Sequence, residues 1–398
     1  MEDYENITVN FTIDGNYSEK TEIIIERIPQ FYYKFITIPL LVFCAFSVLA
    51  NALILASLRW IRRPLSPTLH ISLSLAGADM FTSLVIGIGL IVNSLLPQVF
   101  SIQIDKCSQL VIEALRMGGM YTSIGHLLTL AVNHYLGIKK PLHYPSLMTT
   151  RNITVIVLAL WIIPPSSFAI YFSLLEQDGF AIIGCDYEFI TRAEFRSSCC
   201  YIFVVCLITM AAIYSHIYLL VRQHQANRNR FRRVGSSYSR NPTSANDLRQ
   251  SRNEKALRTT LLIVGTVVLG WLPATIHFYL VCDNCFIKLN WGTPVLRIIT
   301  SALVNFLILL KTALNSCIYA ARMHEIKAAI RLMRDRFITC CKFGTDQNEH
   351  NGLNSESSRH FVSRASIRPS RGTVLCRLQS LPRNEGPPRQ HAHYTTNL

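Results

Sequence analysis

The chain has 398 residues, of which half are hydrophobic and only 16% are charged, and its formal net charge is +15. Since soluble globular domains carry about 25% charged residues, this composition excludes an ordinary soluble protein. A basic chain can bind nucleic acid, but these basic residues lie beside long apolar segments, so an anionic membrane surface is the expected neighbour and nucleic acid is not.

The first 32 residues form a polar segment that we expect to be extracellular. It carries three acceptor sequons for N-glycosylation, at Asn6, Asn10 and Asn16. It lacks the charged and apolar pattern of a cleavable signal peptide, so the first apolar segment is expected to serve as an uncleaved signal.

Seven apolar segments follow, each with about the 20 residues that a helix needs to cross the hydrocarbon core of a bilayer. They lie at about 33–58, 68–95, 108–136, 153–174, 198–221, 258–281 and 295–320. Helices are expected because lipid offers no hydrogen-bond partners to the backbone of an open strand or loop. The predicted fold class is an all-α membrane protein, with a seven-helix bundle over residues 33–322.

Basic residues flank one set of segment ends and predict the orientation of the chain. They lie in the first two connections on that side, in a polar loop at about 222–257 and after residue 322, whereas the N-terminus is acidic. This pattern predicts a multi-pass plasma-membrane protein with an extracellular N-terminus and a cytoplasmic C-terminus.

The C-terminal part divides into an amphipathic segment and a polar tail. Residues 323–341 predict an eighth helix on the inner membrane surface, in contact with lipids, and end at Cys340 and Cys341, which suit palmitoylation or remain plain thiols. Residues 342–398 are too poor in apolar residues to fold alone. This tail offers serines for phosphorylation and arrestin binding and a C-terminus that suits a PDZ domain; a solvated tail without either partner is the alternative.

Four cysteines fall in predicted extracellular positions. Cys107 begins the third segment and Cys185 follows the fourth, so an oxidising environment permits a disulfide between them. Cys282 and Cys285 form a CxxC in the last outer loop. A metal site would need a second Cys or His pair, which is missing, so a small loop disulfide is expected there and no metal or cofactor.

The landmarks inside the segments resemble those of the rhodopsin-like (class A) G-protein-coupled receptors over about residues 33–340. They occur in the family's order: Asn51 in LANALIL, Leu75 and Asp79 in LSLAGAD, Trp161, Tyr214 in YSHIYLLVR, Trp271 and Pro273 in GWLP, and Asn315 and Tyr319 in LNSCIY. Cys206 stands where most members carry a proline. The absence of this proline, together with the short CxxC outer loop, resembles the melanocortin, lysophospholipid, cannabinoid and adenosine branch of the family.

Two charges in the third segment mark a candidate ligand pocket beside Trp271. Glu113 and Arg116 are three residues apart, and charges inside a membrane are costly and are commonly functional. Either they face a ligand, or they neutralise each other on one helix face. In amine receptors the family places an aspartate where this chain has Arg116, so the resemblance implies a peptide, a lipid or another small non-amine ligand.

The resemblance also implies a sodium site, and this chain alters it. The family's helix-2 aspartate and helix-3 serine match Asp79 and Ser123, and Thr312 and Asn315 supply oxygens of the seventh segment. Lys311, however, stands where the family commonly has asparagine. Because a buried ammonium needs a partner, we expect a bridge from Lys311 to Asp79 in place of sodium. The alternative is that Lys311 turns towards another helix or water.

The residues of the family's switch are altered too. Its Asp-Arg-Tyr becomes Asn133, His134 and Tyr135, and the proline of its seventh-helix motif becomes Ser316. The family's switch also has an acidic residue on the sixth helix, and this chain has Asn253 at that position. Histidine is mostly uncharged at neutral pH, so the usual ionic lock is not expected. The residues that carry the motion remain: Tyr214, Trp271, Pro273 and Tyr319.

The resemblance predicts a receptor that is not an enzyme and that activates heterotrimeric G proteins by outward movement of the sixth helix. The altered switch leaves a non-signalling decoy or scaffold as the alternative. An opsin is disfavoured because the retinal lysine would fall at Leu309, on the opposite helix face. A transporter would predict broken helices or several polar rings, which the sequence does not suggest.

Overall fold

The computed structural model describes residues 15–234, 245–282, 285–288, 293–336 and 338. Within the helices, the side chains of several stretches, 15–30, 228–234 and 245–261 among them, lie outside this description. The chain divides into two units, Met1–Leu332 and Met333–Leu398.

Long helices dominate the first unit. They are α1 (Gly15–Ser57), α2 (Pro67–Leu90), α3 (Lys106–Lys139), α4 (Thr150–Leu174), α5 (Ala193–Val234), α6 (Ala245–Leu280) and α7 (Pro294–Arg322). A π-helical stretch (Ile91–Leu95) and a short helix (Leu96–Phe100) continue α2. Shorter helical segments lie at Leu58–Trp60, Tyr144–Leu147 and Glu188–Thr191.

Two strands and a last helical stretch complete the described chain. The strands β1 (Val281–Cys282) and β2 (Ile287–Lys288) pair in parallel, with Val281 opposite Ile287. Residues 324–332 of the first unit are helical. In the second unit, residues 333–336 are helical and Arg334 forms an ion pair with Asp335 at 3.0 Å. These helical residues lie in the segment where the sequence predicts an amphipathic helix.

Short polar side chains start four of the helices. Ser66, Asp105, Thr149 and Thr293 each precede a helix and accept a hydrogen bond from a backbone N–H in its first turn. The N–H of Ser108 donates to Asp105 at 2.8 Å and lowers the pKa of that exposed carboxyl group. Pro67 and Pro294 follow their caps directly, at the position where a helix needs no N–H donor.

Two helices correct the predicted polar loop at 222–257. α5 continues to Val234 and α6 begins at Ala245, so most of the predicted loop is helical. Neither added stretch contains proline or glycine, and each has many good helix formers. α1 likewise begins at Gly15, well before the apolar segment that starts near residue 33.

Five helical spans among the described residues are long and apolar enough to cross a membrane: Tyr33–Trp60, Pro67–Phe100, Thr150–Leu174, Ala193–Gln223 and Val295–Arg322. α6 contributes a shorter apolar stretch, Val264–Leu280. α3 has 34 residues but is less apolar, because it carries groups such as Glu113, Arg116 and His126. The described helices form an all-α membrane bundle, as the sequence predicts.

α3 lies at the centre of the bundle, where it packs against α2, α4, α5 and α6. α4 approaches closely because Gly118 lacks a side chain: an added Cβ would lie 2.6 Å from the Cα of Pro165. α1 packs against α2 and α7, and α7 also packs against α6. This arrangement brings polar side chains from four helices together inside the bundle.

Candidate functional site

A cavity of about 110 Å³ lies among α3, α5, α6 and α7. Its walls are mainly aromatic, aliphatic and sulfur-containing side chains, with a few polar groups. They are Arg116, Met117, Met120, Tyr121, Cys199, Cys200, Phe203, Trp271, Ala274, Thr275, His277, Phe278, Val304 and Ile308. A mostly apolar lining with few polar groups is typical of a small-molecule site.

Glu113 and Arg116 form an ion pair on α3. Nε of Arg116 donates to Oε2 of Glu113 at 2.7 Å, and Nη2 donates to the other carboxylate oxygen. The two charges therefore neutralise each other, and Arg116 also lines the cavity. The side-on contact uses Nε and Nη2 and leaves the Nη1 donors of the guanidinium for another partner.

Trp271 joins the cavity to a buried polar centre below it. Its ring packs against Phe203, with the ring centroids 5.2 Å apart, and only 2% of the residue is exposed. The ammonium nitrogen of Lys311 lies 4.5 Å from the centroid of the Trp271 ring. Nε1 of Trp271 is buried and has no hydrogen-bond partner among the described residues.

The predicted bridge between Lys311 and Asp79 is present. The ammonium of Lys311 donates to Oδ1 of Asp79 and to Oγ of Ser123, each at 2.8 Å. Ser123 in turn donates to Oδ1 of Asp79 at 2.6 Å, and Nδ2 of Asn315 donates to Oδ2 at 2.8 Å. Both oxygens of the buried carboxylate are thus satisfied, as a charge in this environment requires.

These residues do not fit a sodium ion. The ammonium of Lys311 is within hydrogen-bond distance of both Asp79 and Ser123, which are the oxygen ligands that such an ion would use. A second cation there would be repelled by the first. Thr312 is directed elsewhere, to the hydroxyls of Ser47 at 2.7 Å and Ser83 at 3.1 Å.

Ser316 has a partner of its own. Its hydroxyl donates to Oδ1 of Asn51 at 2.6 Å, and Nδ2 of Asn51 donates to the carbonyl of Ser47 at 2.9 Å. A proline at position 316 would lack this hydroxyl. The replacement therefore ties α7 to α1 by a buried hydrogen bond.

Hydrogen bonds hold the far end of α3, where the altered switch lies. Asn133 is buried; its Nδ2 donates to Oγ1 of Thr68, and its Oδ1 accepts from the hydroxyl of Tyr144, both at 2.9 Å. Tyr135 accepts a hydrogen bond from Lys139 at 2.6 Å and packs near the ring of His216. His134, between them in sequence, is half-buried.

Tyr214 and Tyr319, the two tyrosines that the sequence analysis associates with movement of the sixth helix, lie inside the bundle. Tyr214 is 4% exposed and Tyr319 is fully buried. The hydroxyl of Tyr319 has no hydrogen-bond partner among the described residues. Pro273 lies inside α6, four residues before His277.

Both predicted disulfides are formed. Cys107 is joined to Cys185, which connects the start of α3 to the loop after α4, and Cys282 is joined to Cys285 beyond α6. The cavity lies towards this disulfide end of the bundle. Other predicted residues lie outside the part that the structure describes, namely Asn6, Asn10, Cys340 and Cys341 and the side chains of Asn16 and Asn253.

Sequence reasoning missed several residues of the site. Cys199 and Cys200 line the cavity, as do Met117, Met120 and His277. Thr68 and Tyr144 were not recognised as partners of Asn133. No sequence signal separates such residues from ordinary packing residues, because their role depends on the rotation of each helix in the bundle.

Comparisons with known proteins agree with this architecture. The model of the seven-transmembrane receptor (rhodopsin family) matches residues 50–319. Lysophosphatidic acid receptor 1-B of Xenopus laevis is 25% identical over 309 residues, which cover 75% of this chain and 74% of that receptor. Lysophosphatidic acid receptor 1 of Mus musculus is 24% identical over 334 residues, 80% of each chain.

A third similar protein carries the name of an amine receptor. Trace amine-associated receptor 4 of Mus musculus is 26% identical over 267 residues, which cover 62% of this chain and 71% of that receptor. These identities do not separate lipid from amine receptors. Since the family match covers more than half of the sequence, the chain belongs to the rhodopsin family of seven-transmembrane receptors.

Proposed function

We propose that this G-protein-coupled receptor responds to a largely apolar ligand that carries an anionic or hydrogen-bond-accepting group. The observation that carries the proposal is the position of Arg116 in the wall of the cavity. Glu113 neutralises this cation but engages it from one side only. A phosphate or carboxylate would find the remaining donors of the guanidinium in a cavity that is otherwise mainly apolar.

The lining of the cavity also disfavours an amine. Among the described residues that line the cavity, none carries a carboxylate. An amine would meet Arg116 instead of the free carboxylate that it needs. Two of the similar receptors are named for lysophosphatidic acid, an anionic single-chain lipid, which is a ligand of the class that the cavity suits.

The signal would pass from the cavity through Trp271 and the kink at Pro273 to an outward movement of α6, and then to a heterotrimeric G protein. A ligand shifts this equilibrium only by its different affinity for the two states. We assign the restraint of the resting state to two sets of contacts, the buried Lys311–Asp79 pair and the hydrogen bonds that Asn133 makes with Thr68 and Tyr144. A decoy that binds ligand without signalling is the competing function.

The remaining parts of the proposal concern topology and partners. We place the N-terminus and the disulfide end outside the cell, with Asn6, Asn10 and Asn16 glycosylated. Cys340 and Cys341 would be palmitoylated on the inner side, and the tail would bind arrestin and a PDZ protein. Glycosidase treatment and accessibility of an N-terminal epitope on intact cells test this orientation, and an epitope detected only after permeabilisation would reverse it.

The main experiment measures second messengers in transfected cells before and after addition of oleoyl lysophosphatidate. The wild type is expected to respond, Arg116→Ala to lose about tenfold or more in potency, and Arg116→Lys to retain part of it. Glu113→Gln is the matched control, because it removes the competing carboxylate and should not weaken an acidic ligand. Equal potency in wild type and Arg116→Ala would contradict the proposal.

The decoy is tested with His134→Arg in the same cells. A native protein that binds the lipid but gives neither basal nor evoked signal, with a signal restored by His134→Arg, would establish the decoy. Signalling by the native protein would exclude it.

A further inference from the structure

A second hollow lies on α6, beside the cavity. It is a groove of about 550 Å³ whose walls are almost entirely apolar. Its lining residues are Val268, Leu269, Leu272, Pro273, Ile276, His277, Leu280, Val281, Ile287 and Thr300. Most of the α6 residues among them are exposed at the surface of the bundle, as in lipid-facing side chains. The groove therefore opens towards the acyl chains of a bilayer.

The groove and the cavity are neighbours on two helices. On α6, His277 lines both spaces. On α7, Thr300 lines the groove, while Val304 and Ile308 line the cavity. Residues at a spacing of four lie on one face of a helix, so the same face of α7 borders both spaces. The side chain of His277 therefore lies between them.

The sizes of the two spaces are complementary. Sites for drug-sized ligands measure about 300–1,000 Å³. The cavity, at about 110 Å³, is below this range, whereas the groove, at about 550 Å³, lies within it. A ligand with a long apolar tail cannot fit in the cavity alone. The cation Arg116 lines the cavity, so the polar head and the apolar tail of such a ligand have separate places.

We propose that the groove is the binding site for the acyl chain of a single-chain acidic lipid whose head group lies in the cavity at Arg116. The chain passes His277 between α6 and α7 and packs along Leu272, Ile276 and Thr300. This inference rests on the ligand class of the proposed function. It adds the position of the acyl chain. It also predicts that the affinity for the lipid rises with the length of the acyl chain, because the chain packs against α6.

The test measures binding of radiolabelled lysophosphatidates with octanoyl and oleoyl chains to the purified receptor in nanodiscs, with glycerol 3-phosphate as the head group alone. In the wild type, the oleoyl lipid is expected to bind at least about tenfold more tightly than the octanoyl lipid, since each buried methylene adds affinity. Ile276→Trp fills the groove, and should reduce oleoyl binding about tenfold while leaving octanoyl binding unchanged.

Leu303→Trp is the matched control. Leu303 is exposed on α7 and lines neither space, so this variant should keep the full preference for the longer chain. Thr300→Trp fills the groove from the α7 side and should act like Ile276→Trp. A thermal unfolding transition close to that of the wild type shows that the two groove variants are folded.

The outcomes separate the inference from the proposed function. If the wild type binds neither lipid, the ligand class is wrong and the inference fails with it. If the wild type prefers the oleoyl lipid and both groove variants keep that preference, the ligand class stands and the groove is not the site of the tail. Equal loss of octanoyl and oleoyl binding in both folded variants would likewise overturn the inference.

Discussion

Gly270 on α6 and Lys311 on α7 pack so closely that a Cβ atom on Gly270 would lie 2.6 Å from the Cβ of Lys311. The same atom would lie 2.8 Å from the carbonyl oxygen of Leu307. The missing side chain lets the lysine stem pass beside α6, so that its ammonium reaches Asp79 and the ring of Trp271. Gly270 and Lys311 therefore act as one structural unit.

Gly270→Ala is expected to destabilise the receptor. The new methyl group meets the Cβ of Lys311 and a carbonyl oxygen, which cannot rotate away, and overpacking of this kind costs about 1–3 kcal/mol. Gly265→Ala is the matched control, because no atom lies within 4 Å of its added Cβ. It should be neutral, or stabilise α6 by up to about 1 kcal/mol. Thermal unfolding of the two purified variants decides, and equal melting temperatures would contradict the packing argument.

Removing one charge of the buried pair is expected to cost more than removing both. Lys311→Met leaves Asp79 buried without its cation, and Asp79→Asn leaves the ammonium without its anion, each at about 3–5 kcal/mol. The double variant has no buried charge and should recover most of the lost stability. Thermal unfolding of the four proteins gives the coupling energy. A double variant as unstable as the sum of both single variants would mean that the two side chains do not interact.

The same lysine is expected to make the receptor insensitive to sodium. Because the ammonium already contacts Asp79 and Ser123, adding sodium should leave the ligand affinity of the wild type unchanged. Lys311→Ala removes the tethered cation and should gain a sodium-dependent change in affinity. Potassium at equal ionic strength controls for screening. A marked sodium effect in the wild type that persists in Lys311→Ala would contradict this account.

Tyr144→Phe is expected to raise basal signalling. It deletes the hydroxyl that donates to Asn133 and so releases the connection between α3 and the short helix Tyr144–Leu147, at a cost of about 0.5–1.5 kcal/mol. Basal second-messenger production should rise severalfold, while expression at the cell surface stays constant. His143→Ala, beside it in the sequence, controls for changes in the loop itself. Unchanged basal activity in Tyr144→Phe would show that this hydrogen bond does not restrain the resting state of the receptor.

This hydrogen bond is also expected to withstand changes near neutral pH. Burial raises the pKa of the Tyr144 hydroxyl above its usual value of 10.0. A group whose pKa is raised by folding contributes its full stability below the pKa of the unfolded state and loses it as the pH rises through the folded value. The hydroxyl therefore remains a donor between pH 6 and 9, and the effect of Tyr144→Phe on thermal unfolding should be constant over about that range.

The sequence by itself determined the class of the protein and one of its unusual interactions. Apolar segments of membrane length and landmark residues in the family's order predict the bundle, because hydropathy and helix length are local properties. The Lys311–Asp79 bridge was predictable for a different reason. A buried ammonium must find a carboxylate, and Asp79 was the acidic residue expected at the centre of the bundle.

The tertiary structure alone decided which other residues meet. Whether Arg116 faces the cavity or only Glu113, and which groups hold Asn133, depends on the rotation of each helix about its own axis, which the pattern of one segment does not fix. Gly270 is another example. A glycine in a helix is ordinary until a second helix, 41 residues further on at Lys311, passes within van der Waals contact of it. Partners far apart in sequence are chosen by packing between helices, and that choice appears only in the folded bundle.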